Sequence, residues 1–490
     1  MKFIVKYSPE MTIKSRSVRM RFIRRLAGNL SALLARRNPP VTVGFHWDYL
    51  ELGSPDTLAA ADGQHARELA QVLANTPGIC SFAQVRKFPL EDFDTMLVQV
   101  LAVYADKLQG RSFAVRCKRT GRHSFNSMAV ERSLGAGILH HSGARCVDLS
   151  RPEVLVQVEI RDQFLYVIEE ARKGQGGFPV GTQDGVLSLI SGGFDSSVAS
   201  YLAIRRGLKT HYCFFNLGGH EHEIAVKEIA LYLWMKYGAS QRVKFVTVPF
   251  AEVVAEILEK VENSQMGVIL KRMMLRAASQ VAQDMHLSAL VTGESVAQVS
   301  SQTLANLAII DEVSSQMVLR PLIMTDKQDI VDSARAIGTE EFSAMVPEYC
   351  GVISVRPTTR ARRHKIEQQE AHFDFAVLER ALQQRQVRQI HDLKLDLESA
   401  AAPPEPVLPA GEDAIILDIR HPDEAALKPL EVAGSQVEAL PFYRLNMAFK
   451  SLSPDRCYLL YCEKGIMSRL HASYLREAGH HNVAVYRPAS

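Results

Sequence analysis

A short apolar run that leads into a loop of small residues is the feature that most restricts how this chain can fold. Residues 186–190 read Val-Leu-Ser-Leu-Ile, and Ser-Gly-Gly-Phe-Asp-Ser-Ser follows at 191–197, before a helical pattern that begins at Val198. Glycines let backbone N–H groups approach phosphate oxygens, and a helix N-terminus adds partial positive charge. The loop lacks the Gly-Lys-Ser/Thr of a Walker A motif. The sequence therefore predicts a phosphate-binding turn of another kind between a strand and a helix.

Apolar strand-like segments alternate with helix-like segments from residue 185 to about 395, a pattern typical of a parallel α/β sheet. Besides 186–190, we expect strands near 213–216, 243–248 and 290–292, and a helix over 265–284. Residues 172–184 are rich in glycine, and 397–412 contain four prolines and four alanines, so both segments read as linkers. A final unit then begins with a strand at 414–418.

The length of 490 residues suggests three or four domains. Hydrophobic residues make up 47% and charged residues 23%, which excludes wholesale disorder. No apolar run approaches the roughly 20 residues of a membrane helix, and the N-terminus lacks the apolar segment of a signal peptide. Seven unevenly spaced cysteines do not resemble a secreted disulfide framework. We therefore expect a cytoplasmic protein without a membrane partner.

The net charge of +3 conceals an uneven distribution. Residues 1–40 contain ten basic side chains and one acidic side chain, whereas residues 391–440 contain eleven acids and three bases. A basic N-terminal region favours a polyanionic partner, because neutralising phosphates releases counterions. A solvated helix face explains a single basic cluster equally well.

The last unit carries a cysteine at a position that favours reactivity. Residues 416–424 read Ile-Leu-Asp-Ile-Arg-His-Pro-Asp-Glu, and the strand 457–461 runs into Cys462-Glu-Lys-Gly-Ile-Met-Ser-Arg469. Both segments resemble a rhodanese domain, whose active loop cradles a cysteine between a strand and a helix. Backbone N–H groups and the helix dipole would favour the thiolate, which can hold sulfane sulfur as a persulfide. The alternative for Cys462 is a buried structural cysteine, which is also how we interpret Cys457.

The loop at 191–197 resembles the PP-loop of ATP pyrophosphatases, which cleave ATP between the α and β phosphates and adenylate an oxygen. The alternative is an ordinary glycine-rich turn. The resemblance implies Asp195 as a catalytic residue acting with Mg²⁺, and Lys327 as a second one. It also implies nucleotide contacts from Leu189, Ile190, Ser191, Gly192, Gly193, Ser196, Ser197, Lys271, Gly293 and Gln302. His220-Glu-His222 suggests a metal at first, but no partners stand at ligand spacing, so we expect a loop role and no metal site.

Taken together, the chain resembles the ThiI family of tRNA sulfurtransferases, which make 4-thiouridine. The supporting segments include Val115–Phe125, Val130–Arg132, Phe215–Gly219 and Glu348–Ser354. The resemblance implies an α/β multidomain protein. Its parts would be a ferredoxin-like domain (1–62), a THUMP RNA-binding domain (63–171), a PP-loop ATP pyrophosphatase domain (172–396), a linker (397–412) and a rhodanese domain (413–490).

The family chemistry implies roles for the remaining residues. Uridine 8 of tRNA would be adenylated at its C4 oxygen with ATP, and a Cys462 persulfide, charged by a cysteine desulfurase, would supply the sulfur. Cys350 would form a transient disulfide with Cys462. Further expectations are sulfur delivery to the carrier protein of thiamine thiazole synthesis, and a homodimer around tRNA. Candidate RNA contacts are Arg111, Arg116, Lys118, Arg119 and Arg122.

Two other interpretations remain open at this point. The chain could be a different PP-loop enzyme, such as a 2-thiouridine synthase or an amide-forming ligase, although the C-terminal cysteine loop argues against both. It could also be an RNA-binding or sulfur-relay protein with an inactive ATP site, although the complete 191–197 loop argues against that.

Overall fold

The computed structural model divides into two compact units, Met1–Thr182 and Gln183–Ser490. The residues that it describes are 2–35, 37, 40–53, 63–217, 220–344, 357–393, 414–420, 425–426, 428–432, 434–449, 451–463, 468, 471–472, 475–476 and 479–487.

The first unit is built on one eight-stranded sheet. Its strands are β1 (Lys2–Tyr7), β2 (Thr42–Phe45), β3 (Tyr49–Gly53), β4 (Ile79–Pro89), β5 (Ser112–Thr120), β6 (Cys146–Val147), β7 (Val154–Arg161) and β8 (Phe164–Lys173). Its helices are α1 (Pro9–Thr12), α2 (Arg16–Leu34), α3 (Gly63–Ala74), α4 (Phe93–Leu108) and α5 (Ser127–His141). The strand order is β2-β3-β1-β4-β8-β7-β5-β6. The antiparallel pairing of β1 with β4 joins the strands of residues 1–53 to those that follow residue 78.

Two hydrophobic clusters hold the helices on this sheet. One joins Phe22, Leu26 and Leu30 of α2 and Leu73 of α3 to β1, β3 and β4. Their spacing of four residues along α2 places these side chains on one helix face. The second cluster joins α4 and α5 to β5, β7 and β8. The first unit therefore has one sheet and two adjoining cores.

The second unit begins with a six-stranded sheet. Its strands are β9 (Gly185–Leu189), β10 (Lys209–Asn216), β11 (Lys244–Pro249), β12 (Ala289–Val291), β13 (Met317–Leu319) and β14 (Gln386–Gln389). Its helices are α6 (Phe194–Arg205), α7 (His220–Leu233), α8 (Ala251–Lys260), α9 (Met266–Asp284), α10 (Leu304–Asp311), α11 (Lys327–Ile337), α12 (Glu340–Ser343), α13 (Arg363–Glu370) and α14 (Phe375–Gln383). A π-helix spans Trp234–Gly238, and 3₁₀ turns span Asn263–Gln265 and Ser300–Gln302.

The order of these strands, β13-β12-β9-β10-β11-β14, places β9 between β12 and β10. The chain moves outward from β9 through β10 to β11, and then returns to the other side of β9 as β12. Such a reversal leaves a crevice outside the carboxyl ends of the strands, where open α/β sheets bind ligands. The loop at 191–197 follows β9 and thus lies at this switch point.

The second unit also contains a C-terminal sheet of four parallel strands. Its elements are β15 (Ala414–Asp418), β16 (Gln436–Ala439), the helix α15 (Phe442–Phe449), β17 (Cys457–Tyr461) and β18 (Val483–Val485). The strand order is β16-β15-β17-β18. Ile415 and Leu417 pack into one hydrophobic cluster and Ile416 into another, so both faces of the sheet are covered.

The predicted α/β class with parallel sheets is confirmed, and the predicted strands around 186–190, 213–216, 243–248, 290–292 and 414–418 are present. Strand β14 was not predicted. It pairs antiparallel with β11 at the sheet edge. Its sequence, Gln-Val-Arg-Gln, carries a single apolar residue, which is too weak a pattern to indicate a strand.

Candidate functional site

The loop after β9 forms a tight, internally bonded turn. Gly192 has φ of 88°, in the left-handed region that favours glycine, and Gly193 caps the start of α6. The Ser196 hydroxyl accepts from the Ser191 backbone N–H at 3.1 Å and donates to the Gly193 carbonyl at 3.1 Å. The Ser197 hydroxyl lies 3.1 Å from the same carbonyl. These two hydroxyls therefore shape the loop from inside.

Asp195 lies in the first turn of α6 and contacts two side chains from distant segments. Lys327, the first residue of α11, donates from Nζ to Oδ1 at 2.8 Å. Gln298 donates from Nε2 to Oδ2 at 2.7 Å. A carboxylate offers about four lone-pair sites, so Asp195 retains acceptor capacity for a further ligand. The structure thus brings Asp195 and Lys327 together and adds Gln298, which sequence reasoning did not select.

Gly293 connects the end of β12 to this loop by direct backbone packing. A Cβ atom at this position would lie 2.5 Å from the Asp195 carbonyl carbon and 2.6 Å from the Ser196 nitrogen. Only glycine allows so close an approach without displacing one of the two segments. Gly293 therefore fixes the distance between β12 and the loop.

Lys271, which we predict to contact the nucleotide, pairs with a carboxylate in this structure. Its Nζ donates to Glu294 Oε1 at 2.7 Å, and Arg320 Nε donates to Glu294 Oε2 at 2.7 Å. Arg320 also forms an ion pair with Asp311. Burial alone would raise the pKa of Glu294, but the charges of Lys271 and Arg320 outweigh it and lower this pKa to about 2. Glu294 is therefore ionised, and this charge cluster stands directly beside Gly293.

Gln302 ends the 3₁₀ turn that follows Gln298. The side chain is 8% exposed, and its Oε1 has no hydrogen-bond partner among the residues that the structure describes. The Gln302 carbonyl accepts from the Ala297 N–H at 3.0 Å, which closes the turn. A buried acceptor without a partner among the described residues suits a ligand that brings a donor.

His222 lies on α7, so the expected loop role is wrong. Helical spacing continues through this segment to Leu233. The His222 Nε2 donates to the Ser191 carbonyl at 3.0 Å, and its ring packs edge-on against Phe214. Burial lowers the pKa of His222, although the Ser191 contact opposes this shift. Sequence reasoning missed this support of the loop.

In the described part of the chain, no group of three or more metal-ligating side chains comes together.

The C-terminal domain places Cys462 directly after β17. The Ser468 backbone N–H donates to Cys462 Sγ at 3.4 Å, and the Ser468 hydroxyl lies 3.5 Å from the same sulfur. Cys462 is 9% exposed. Asp418 accepts from Arg420 Nε at 2.9 Å and from Nη2 at 2.6 Å. Both motifs noted in the sequence thus lie at the ends of neighbouring strands β15 and β17. Cys350 and the linker at 397–412 lie outside the described residues.

The basic residues around β5 form a surface that we call the β5 basic patch: Arg111, Arg116, Lys118, Arg119 and Arg122. Within β5, the exposed residues Arg116 and Lys118 alternate with the buried Cys117. The Arg119 Nη1 lies 2.9 Å from His123 Nδ1. None of the five forms an ion pair with a carboxylate in the described regions of the chain. Their charges are therefore available to an external anion.

Comparisons with known proteins bear on all of these regions. The model of the family described as Thiamine biosynthesis protein (ThiI) matches residues 181–375, and the THUMP domain model matches residues 91–168. The tRNA sulfurtransferase of Pseudomonas fluorescens (strain Pf0-1) is 52% identical over 493 residues and is matched along 100% of both chains. The chain belongs to the tRNA sulfurtransferase family. The tRNA sulfurtransferase of Azotobacter vinelandii (strain DJ) is 54% identical over 489 residues, again along 100% of both chains.

Two solved structures share the fold of this chain. One is described as a 4-thiouridine synthetase–RNA complex with bound ATP, and it aligns with a TM-score of 0.69 and 25% sequence identity. The alignment covers 79% of this chain and 99% of that chain. PH1313 from Pyrococcus horikoshii Ot3 shares the fold, with a TM-score of 0.53 and 18% identity over 69% of this chain and 100% of its own. Among the described residues, no helix is long and apolar enough to cross a membrane.

Proposed function

We propose that this protein is an ATP-dependent tRNA uracil 4-sulfurtransferase that converts uridine 8 to 4-thiouridine in the cytoplasm. The observation that carries the proposal is the contact at 2.8 Å between Asp195, which follows the loop glycines, and Lys327 at the start of α11. It occurs in a chain that is similar along its whole length to tRNA sulfurtransferases. We also propose the domain boundaries stated above, 1–62, 63–171, 172–396, 397–412 and 413–490, and a homodimer.

The loop after β9 would bind the triphosphate of ATP. Backbone N–H groups around Gly192 and Gly193, together with the start of α6, suit phosphate oxygens. The unpartnered Gln302 Oε1 suits the exocyclic amine of a base. In this arrangement Leu189, Ile190, Ser191, Ser196 and Ser197 shape the cradle. Lys327 would place its ammonium against the phosphates while it orients Asp195.

Mg²⁺ would be held by Asp195 together with phosphate oxygens, and it would supply neutralisation of the phosphate charge. The acceptor capacity left on Asp195 fits such a role. Asp195 and Lys327 would then orient the α phosphate toward the C4 oxygen of uracil. Attack by that oxygen would release pyrophosphate and leave an adenylated uridine. AMP is a far better leaving group than the original oxygen.

Cys462 would carry the sulfur as a persulfide received from a cysteine desulfurase. The Ser468 N–H and hydroxyl near its Sγ support this role, because hydrogen bonds to sulfur stabilise a thiolate. The terminal sulfur would attack C4 and displace AMP, or would first be released as sulfide. In either route, the thiolate of Cys350 would attack Cys462 Sγ and break the S–S bond to the transferred sulfur. The resulting Cys350–Cys462 disulfide would need an external reductant.

The THUMP-matched region would hold tRNA. The β5 basic patch offers charges without carboxylate partners in the described regions, which suits contacts to phosphates. A second role, sulfur delivery to the carrier protein of thiamine thiazole synthesis, is supported by the family description Thiamine biosynthesis protein (ThiI).

Nucleoside mass spectrometry of tRNA tests the proposal. A strain lacking this gene should lose 4-thiouridine and regain it with the wild-type gene, but not with Asp195→Ala or Cys462→Ala. Asp329→Ala is the matched control for Asp195→Ala, since Asp329 is exposed on α11, the helix that begins with Lys327. Retention of 4-thiouridine in the deletion strain would overturn the proposal.

Purified protein separates the two half-reactions. Asp195→Ala should form no AMP but should still bind tRNA. Cys462→Ala should adenylate tRNA but accept no sulfur, and Cys350→Ala should accept sulfur but stop after one turnover. Cys146→Ala, at an exposed cysteine, is the control for both cysteine variants. Many turnovers by Cys350→Ala would exclude the disulfide step, and absence of AMP with the wild-type protein would favour a sulfur relay.

A further inference from the structure

We propose that the C-terminal domain docks at a defined site on the domain of the six-stranded sheet, and that His471 and Glu228 form its latch. The His471 Nε2 lies 2.8 Å from Glu228 Oε1, and the two side chains are 0% and 8% exposed. Glu228 belongs to α7, whereas His471 follows Ser468 near the Cys462 loop. A glutamate is almost never buried this deeply without a partner. A buried pair contributed by two domains therefore indicates a specific docked state.

An ion pair between Arg444 and Glu341 joins the same two domains. The Nη2 of Arg444, on α15, lies 3.2 Å from the Oε2 of Glu341, on α12. The two side chains are 54% and 50% exposed. Protein interfaces commonly have a buried centre and a polar, solvent-accessible rim. The buried His471–Glu228 contact corresponds to the centre, and the exposed Arg444–Glu341 contact corresponds to the rim. The docking site thus comprises α7 and α12 on one side, and α15 and the segment around His471 on the other.

The docking site also touches the phosphate loop. Helix α7 supports the loop through the contact of His222 with the Ser191 carbonyl. Helix α12 supports it through Ser343, whose hydroxyl lies 3.3 Å from the Ser197 hydroxyl. Because both docking helices contact the loop, we expect docking and nucleotide binding to be coupled. The relevance of this coupling to sulfur transfer rests on the proposed function, whereas the docking itself does not.

Charge reversal at the exposed ion pair tests the docking. We would compare full-length Glu341→Arg, Arg444→Glu and the double variant with the wild type. Carbodiimide labelling would report the exposure of Glu228, and diethylpyrocarbonate labelling would report that of His471, both read by mass spectrometry. Each single variant should label both residues about two- to tenfold faster, since it replaces an attraction by a repulsion. The double variant should return to the wild-type rates.

Two internal controls accompany this measurement. Glu223 lies on α7 and pairs with Lys227, and His480 packs on Phe449 inside the C-terminal domain. Their labelling should stay constant in all variants, which shows that each domain remains folded. Unchanged labelling of Glu228 and His471 in the single variants, or failure of the double variant to restore protection, would overturn the docking site.

Titration with the ATP analogue α,β-methylene-ATP tests the coupling. Binding linkage is reciprocal, so the factor by which the analogue changes labelling of Glu228 must equal the factor by which undocking changes analogue affinity. Arg444→Glu is decisive here, because Arg444 lies outside the domain that carries the phosphate loop. Equal analogue affinity in Arg444→Glu and wild type would overturn the coupling. The labelling comparison uses no nucleotide, tRNA or sulfur, so a failure of the proposed function would leave the docking result unchanged. The coupling rests on ATP binding, and a wild-type protein that does not bind the analogue would overturn it.

Discussion

Replacing Gly293 with alanine tests whether close backbone packing holds the phosphate loop in place. The new Cβ would lie 2.5 Å from the Asp195 carbonyl carbon, whereas ordinary contact begins at 3.4 Å. The segments must therefore separate by about 0.9 Å, the difference between these two distances. The obstacles are backbone atoms of Asp195 and Ser196, which cannot rotate away as a flexible side chain can.

Inserting a methyl group into so tight a contact costs about 1–3 kcal/mol. If the loop moves, this energy is lost from nucleotide binding, and affinity should fall about 5- to 150-fold. If β12 moves instead, the same energy is lost from the stability of the folded protein. Titration with α,β-methylene-ATP and urea unfolding distinguish the two outcomes.

Gly267→Ala is the matched control. Gly267 lies in the first turn of α9, and a Cβ there meets nothing within 4 Å. This substitution should stabilise the protein by about 0.4–1 kcal/mol, because alanine restricts the unfolded chain, and nucleotide affinity should not change. Wild-type affinity together with wild-type stability in Gly293→Ala would refute the packing argument.

Three further predictions follow from charge and burial. Lys271→Met should raise the pKa of Glu294 and reduce the free energy of unfolding at pH 7 by about 3–5 kcal/mol. Because the pKa of Glu294 is lowered to about 2, its contribution is complete above pH ~4.5 and lost as pH falls toward 2. The difference between variant and wild type in urea unfolding should therefore shrink at low pH, and a difference independent of pH would contradict the assignment. Iodoacetamide at pH 8 should modify the exposed Cys146 of the folded protein but not Cys213, since burial raises the Cys213 pKa to about 12; equal rates would contradict this. Replacing Arg116 and Lys118 with alanine should reduce the salt slope of tRNA binding by about 2, and an unchanged slope would indicate that these side chains form only a solvated face.

Local features of the site could be predicted from sequence because neighbours along the chain determine them. A strand, a glycine pair and a helix start within twelve residues define the turn at 191–197, and Gly192 takes the left-handed conformation that such a turn requires. The position of Cys462 after β17 was predicted in the same way. In each case the backbone path, and not a distant partner, sets the geometry.

Contacts between distant segments could not be predicted from composition or periodicity. Asp195 and Lys327 are 132 positions apart, and their meeting depends on the order β13-β12-β9, which no local pattern encodes. Lys327 was selected through family resemblance alone. Gln298 and His222 were not selected, since a lone glutamine or histidine on a helix or turn carries no periodic signal. Likewise, the polar edge strand β14 has no hydrophobic alternation by which it could be recognised.

Lys271, predicted to contact the nucleotide, has a structural contact that the sequence did not indicate. An isolated lysine on a helix is usually solvated, yet this ammonium is only 18% exposed and pairs with the 12% exposed Glu294. Glu294 adjoins Gly293, whose backbone packs against Asp195. The contacts of Glu294 with Lys271 and Arg320 therefore fix the chain next to Gly293, where its backbone packs against the phosphate loop. Because this anchoring does not require Lys271 to touch ATP, its effect on nucleotide binding should accompany its effect on stability, whereas a direct phosphate ligand would change binding alone.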